Sequence, residues 1–149
     1  MQDRRPAIEA FFEAYAKRSD DSLRVPSHDN VDGVAASFAQ FVVGANPKGV
    51  NGGANDETFR KMIPQGLARY RQIGGRTMRI TRLKITELDA FNAMVRVDWL
   101  FSYQRPLDGR RGDIAFQNIY FLNFATGEPK IFAYITPDEE QAMRDHGLI

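Results

Sequence analysis

Residues Ala93 to Tyr103 read AMVRVDWLFSY, an Arg-Val-Asp step inside an otherwise strongly apolar strand. In an extended chain Met94, Arg96, Asp98, Leu100 and Ser102 share one face, while Val95, Val97, Trp99, Phe101 and Tyr103 share the other. Arg96 and Asp98 then stand roughly 6.7 Å apart at Cα, close enough for their side chains to meet. A core face admits such charges only as a pair. The pair is either a structural bridge between strands or subunits, or a ligand-facing pair with Leu100 beside it as an apolar contact. Other residues able to do chemistry are dispersed. Asn46 before Pro47 reads first as turn chemistry. Tyr15 lies on an apolar helix stripe, with its hydroxyl on a core acceptor or in a pocket. Gln117 and Asn118 sit in mid-strand, where parity lets only one of them face the interior.

The elements that must position these groups follow from periodicity. Ile8, Phe11, Phe12, Tyr15 and Ala16 make one amphipathic helical stripe, with Pro6 in its first turn. Ser19 to Asn30 is polar and reads as a loop. Asp32 to Ala36 reads as a short helical turn, and Phe38 to Val43 as a strand. The glycine- and asparagine-rich stretch Gly44 to Asn55 reads as loop or hairpin. Asp56 is an N-cap for a second helix carrying Phe59, Met62, Ile63, Leu67, Tyr70 and Ile73. Pro64 should kink or split that helix, and Gly74-Gly75 should end it.

From Arg76 onward the pattern is antiparallel. Met78 and Ile80 share one parity but Leu83 and Ile85 take the other, which predicts a β-bulge near Arg82. A hairpin loop follows at Arg105 to Gly112, then strands Asp113 to Phe124 and Lys130 to Thr136. Pro137 to Ile149 reads as a tail with one helical turn, and Asp138-Glu139-Glu140 as its solvated start. The expected class is α+β: N-terminal helices packed on a strongly curved antiparallel (mixed) sheet, in one domain spanning 1–149. Such a sheet leaves a cone with one open end, a natural pocket for a small apolar ligand or substrate.

Composition narrows the function classes. With 20 basic and 19 acidic residues the net charge is +1, too balanced to suggest nucleic acid or an anionic membrane as partner. The chain has no cysteine, which excludes disulfides, thiolate metal sites and cysteine nucleophiles. The two histidines, His28 and His146, lie in an expected loop and tail, so no metal and no cofactor is expected. Neither a signal peptide nor a membrane span is evident, and the expected location is cytoplasmic.

The order of elements, with Asp32-Gly33-Val34-Ala35-Ala36-Ser37-Phe38 after the first helix, resembles the NTF2-like superfamily, which includes SnoaL-like cyclases, ketosteroid isomerases and limonene-epoxide hydrolases. That resemblance implies a cone-shaped pocket and dimers formed through sheet faces, but no single activity. Measured against the isomerases, Tyr15 matches their helix tyrosine, but Asn46 replaces the catalytic Asp. Asn118 or Ile119 falls where they keep a protonated Asp. An amide cannot abstract a proton, so isomerisation of that kind is not expected. Against the hydrolases, Arg96-Val97-Asp98 reproduces their Arg-x-Asp step and Asn46 their water-binding Asn. Gly44 replaces their Tyr, and Thr136 falls near their base, leaving Asp138 as a substitute. The resemblance thus implies Asp98, Arg96 and Asn46 as catalytic candidates, and the cone implies Tyr15, Asn118 and Leu100 as ligand contacts. For the aromatic face of Trp99, Phe101 and Tyr103, beside Phe116 and Tyr120, both core and homodimer contact are open.

Overall fold

In a computed structural model describing residues 3–25 and 29–149, the chain runs through α1 (Arg5–Arg24), α2 (Val31–Ala36), β1 (Phe38–Asn46), β2 (Gly49–Ala54), α3 (Glu57–Gln72), β3 (Gly75–Glu87), β4 (Asn92–Gln104), β5 (Arg111–Asn123), β6 (Lys130–Ile135) and α4 (Glu139–Asp145). The strands form one sheet in the order β2-β1-β6-β5-β4-β3. Every pairing is antiparallel except β1 with β6, which is parallel.

One face of the sheet is covered by helix. Val95, Val97 and Trp99 of β4 and Tyr120 and Leu122 of β5 are buried there against Ile8 and Phe12 of α1. The Phe12 and Tyr120 rings meet at 5.2 Å. The face of Trp99, Phe101 and Tyr103 is therefore core. The expected bulge is present: the β3–β4 register shifts between Ile80 and Arg82, so that Ile80 lies opposite Trp99 and Arg82 opposite Asp98. That extra residue accounts for the switch of apolar parity along β3.

Three segments differ from the sequence reading. Helix α1 does not end before Ser19 but continues to Arg24. Its last turns hold together through Lys17–Asp21 and Arg24–Asp20 pairs four residues apart. The apolar stripe also continues, in buried Leu23 and in Ser22, whose hydroxyl is turned back onto the Ser19 carbonyl at 2.8 Å. Pro26 and His28 lie outside the described residues. Helix α3 runs unbroken through Pro64. It is capped by Asp56, which accepts from Phe59 N, and anchored near its end where Arg71 pairs with Asp29 at 2.6 Å. Gly74, at φ 96°, turns the chain into β3 where a Cβ would collide with the Gln104 carbonyl. The tail, finally, is a two-turn helix rather than a solvated turn.

Helix α3 spans the covered face. Phe59 at its start meets Phe38 of β1 at 5.4 Å, and Tyr70 near its end meets Phe101 of β4 at 5.9 Å. None of its residues is fully buried, and of its apolar stripe Met62 is 61% exposed while Phe59 and Tyr70 turn inward. It roofs an interior that is not completely filled. At one end β6 stops at Ile135, opposite Ile119, so the first half of β5 has no β6 beside it. Helix α4 packs there instead. Met143 joins Leu23, Ile73, Phe101, Tyr103 and Ile114 in a second apolar cluster, and the Tyr103 hydroxyl meets His146 Nδ1 at 2.9 Å. Among the described residues no helix is long and apolar enough to cross a membrane.

Candidate functional site

The Arg-Val-Asp step does not face the cone. Val95, Val97 and Trp99 take the covered side of β4, so strict alternation sends Arg96, Asp98 and Leu100 to the outer side. Arg96 Nε lies 3.3 Å from Asp98 Oδ1, with 43% and 23% of the two side chains exposed. Arg82 and Lys84 of β3 complete a shallow groove with them. This is a half-solvated ion pair among extra cations, and Leu100 shares its outward face. Asn46 ends β1 and accepts from Lys48 N at 2.8 Å, the turn chemistry its Pro neighbour suggested. It shares a surface depression with Thr136 and Asp138, away from Arg96 and Asp98. The hydrolase-like constellation is therefore not assembled. Gly44 leaves its space to Tyr134 on the paired strand, whose ring atoms lie 2.7 Å from a Cβ built at position 44.

Tyr15 and Asn118 both reach Tyr120 inside the cone. Asn118 is 8% exposed on the covered face, and its Nδ2 donates to the Tyr120 hydroxyl at 3.1 Å. Trp99 Nε1 donates to the same oxygen at 3.3 Å, and the Tyr15 hydroxyl leans on it from α1. With donors converging on it, the Tyr120 oxygen is saturated as an acceptor. Asn118 Oδ1 is buried and receives no hydrogen bond from the protein. Gln117 takes the outer parity.

Two residues whose role sequence reasoning missed pair at the other end of the interior. The Tyr70 hydroxyl donates to both carboxylate oxygens of Glu139, at 2.9 and 3.1 Å. Glu139 opens α4 and shares a helix face with Ala142 and Met143, three and four residues on, so it turns toward the protein. That i, i+3, i+4 relation was the available signal. Asp138 is the N-cap, accepting from Gln141 N at 3.0 Å. Burial pushes the Glu139 carboxyl above its ordinary value, against the pull of the Tyr70 hydrogen bond and of Arg69. Burial also raises Tyr15, Tyr70, Tyr120 and Tyr134, and the Glu139 charge adds to the rise in the last three. The Glu139 charge thus acts on three of the five tyrosines, Tyr70, Tyr120 and Tyr134, and Tyr70 donates to it directly.

A cavity of about 330 Å³ opens beside this pair, between α4, the end of α3 and the first half of β5. Its wall is mostly apolar, with Met78, Phe101, Ile114, Phe116 and Met143 facing Tyr70 and Glu139. The volume is at the small end of ligand pockets, which run to about 300–1,000 Å³. A carboxylate with a raised proton affinity in such a wall can accept a hydrogen bond or a proton from a bound molecule. Among the described residues no group of three or more His, Asp or Glu could hold a metal ion.

Helices on the covered face of a curved six-stranded sheet, enclosing a cone, are the NTF2-like, cystatin-like fold, and this chain has it. A ketosteroid isomerase-like protein from Erwinia carotovora atroseptica SCRI1043 superposes with a TM-score of 0.66 at 18% identity, over 92% of this chain and 97% of that one. An NTF2-like protein with a cystatin-like fold from Novosphingobium aromaticivorans gives 0.64 at 14% identity, over 97% and 88%. An NTF-2 like protein of unknown function from Shewanella oneidensis MR-1 gives 0.59 at 14%, over 87% and 98%. At these identities the likeness is one of fold. No family model and no curated protein matches the chain in sequence.

Proposed function

We propose that this protein binds a small, largely apolar molecule in its cone, with Tyr70 and Glu139 as polar contacts at one wall and Tyr15 and Asn118 as further ones. The observation that carries this reading is the apolar cavity with the part-buried Tyr70–Glu139 pair in its wall. Phe116 lines that cavity and stacks on Trp99 at 6.5 Å, so the single tryptophan of the chain reports occupancy. Titration with 2-naphthol should change Trp99 emission saturably, and Ala142→Phe, which fills the cavity, should abolish the change. A flat titration of a folded protein would sink the proposal.

A second reading concerns assembly. The outer face of the sheet bears Phe41, 70% exposed, with Val43 and Ile135 and a tilted Phe121–Phe132 pair at 6.1 Å. An apolar strip of this kind supports a homodimer formed through the outer sheet faces. Light scattering after size exclusion should give twice the 16.9 kDa chain mass, and Val43→Asp should shift the species to monomer. A wild-type monomer at high micromolar concentration overturns it.

A further inference from the structure

The polar character of the cavity is one-sided. Its lining includes two carboxylates, Asp138 and Glu139, and no Lys, Arg or His. Arg69 acts on Glu139 through space from α3 but is not part of the wall. Among the described residues the side-chain donor to Glu139 is the Tyr70 hydroxyl, which is neutral, and no cation contacts the carboxylate. Three aromatic residues, Tyr70, Phe101 and Phe116, also line the cavity, and its other polar side chain is the neutral amide of Gln117. Tyr70 and Phe101 lie 5.9 Å apart and tilted by 56°, so the two rings are not stacked on one another. Ring faces carry negative potential and attract cations, the more so where water is excluded.

Aromatic faces, an acidic wall and an apolar floor are complementary to one kind of ligand. Resting on the reading of this cavity as a binding site, we infer that its ligand is an organic cation: an amine or alkylammonium group on an apolar body. The charged end sits between Glu139 and the Tyr70 and Phe101 rings. The apolar body lies along Ile114, Phe116 and Met143. An anionic ligand of the same shape is repelled by both carboxylates, which gives discrimination by repulsion as well as by attraction.

The test is a set of three probes with one body, 4-phenylbutylamine, 4-phenylbutanol and 4-phenylbutanoate, titrated by calorimetry at neutral pH and low salt. The amine should bind about tenfold or more tightly than the alcohol, and the acid most weakly. Glu139→Gln keeps an acceptor for the Tyr70 hydroxyl and should bring amine and alcohol to within about twofold of each other. Asp138→Asn preserves the N-cap, so the helix stays formed, and should reduce the amine preference partially. If all three probes bind alike, or the amine preference survives in Glu139→Gln, the cation assignment is overturned while the pocket stands. If none of the three binds, the pocket reading fails, and this inference with it.

Discussion

The Tyr70 hydroxyl bridges both oxygens of the Glu139 carboxylate, tying the end of α3 to the start of α4. No local pattern joins these two residues, yet together they hold the charge that defines the cavity. Two opposed effects meet there, burial against ionisation and a hydrogen bond in its favour, and burial is the larger.

This balance makes stability depend on pH. A carboxyl whose folded-state pKa is raised binds its proton more tightly in the folded protein than in the unfolded chain. Its contribution is therefore fully present below the ordinary value of 4.5 and is lost as pH rises through the raised one. Glu139→Gln removes that loss. Urea unfolding from pH 4 to 8 should show the variant gaining on the wild type as pH rises and then running parallel to it. Profiles parallel throughout would mean that the carboxyl is not perturbed.

Tyr70→Phe deletes the donor and leaves the carboxylate without it. We expect a loss of about 1 kcal/mol at neutral pH, and a stability decline that starts at the same pH as in the wild type but continues to higher pH, because the ionised form has lost its support. If Tyr70→Phe lowers stability equally at pH 4 and pH 8, the hydroxyl contributes packing rather than charge stabilisation.

Arg71 and Asp29 pair at 2.6 Å with 18% and 12% of their side chains exposed, and Arg71 also donates to the Ser22 carbonyl. Removing one partner strands the other charge, so Arg71→Ala should cost on the order of 3 kcal/mol. The double variant with Asp29→Ala should cost much less than the two single losses combined. Additive losses would argue against direct coupling.

The space of Gly44 belongs to the Tyr134 ring. Gly44→Ala should displace that ring and lower stability by about 1–3 kcal/mol, with a change in tyrosine near-ultraviolet circular dichroism. A neutral substitution would show that Tyr134 moves aside freely.

Arg96→Ala and Asp98→Ala, on the outer face, should each change stability by no more than about 1 kcal/mol and leave probe affinity in the cavity unaltered. A loss of 2-naphthol binding in either variant would return the pair to the ligand site.

Much of the architecture was legible in the sequence because it is written locally. The bulge at Ile80–Arg82 appeared as a parity switch, the cap at Asp56 as an acid before an apolar stripe, and the two faces of β4 as plain alternation. Which face of β4 is covered was not legible. Both faces contain large apolar residues, and the choice is made by where Ile8 and Phe12 of α1 dock. Arg96 and Asp98 were drawn into the pocket by resemblance, whereas Val95 and Val97 exclude them from it. The last turns of α1 looked like loop because their buried face is made of Ser22 and Leu23 amid charged residues, too short an apolar stretch to show a period. Glu139 looked solvated because its burial depends on Tyr70 and on the early end of β6, both set by tertiary packing.

The single parallel ladder has a kinetic consequence. β1 finds its partner only when β6 arrives, Phe38 opposite Ile131, although β3, β4 and β5 can zip together through short hairpins. Closing the β1–β6 pairing bears the entropy of the longest loop among the strand pairings, and such long-range contacts form late. Amide protons in β4 and β5 should thus become protected during refolding ahead of those in β1. Until then the β1–β2 hairpin is an orphan edge, and the enclosed interior takes shape in the last step of folding.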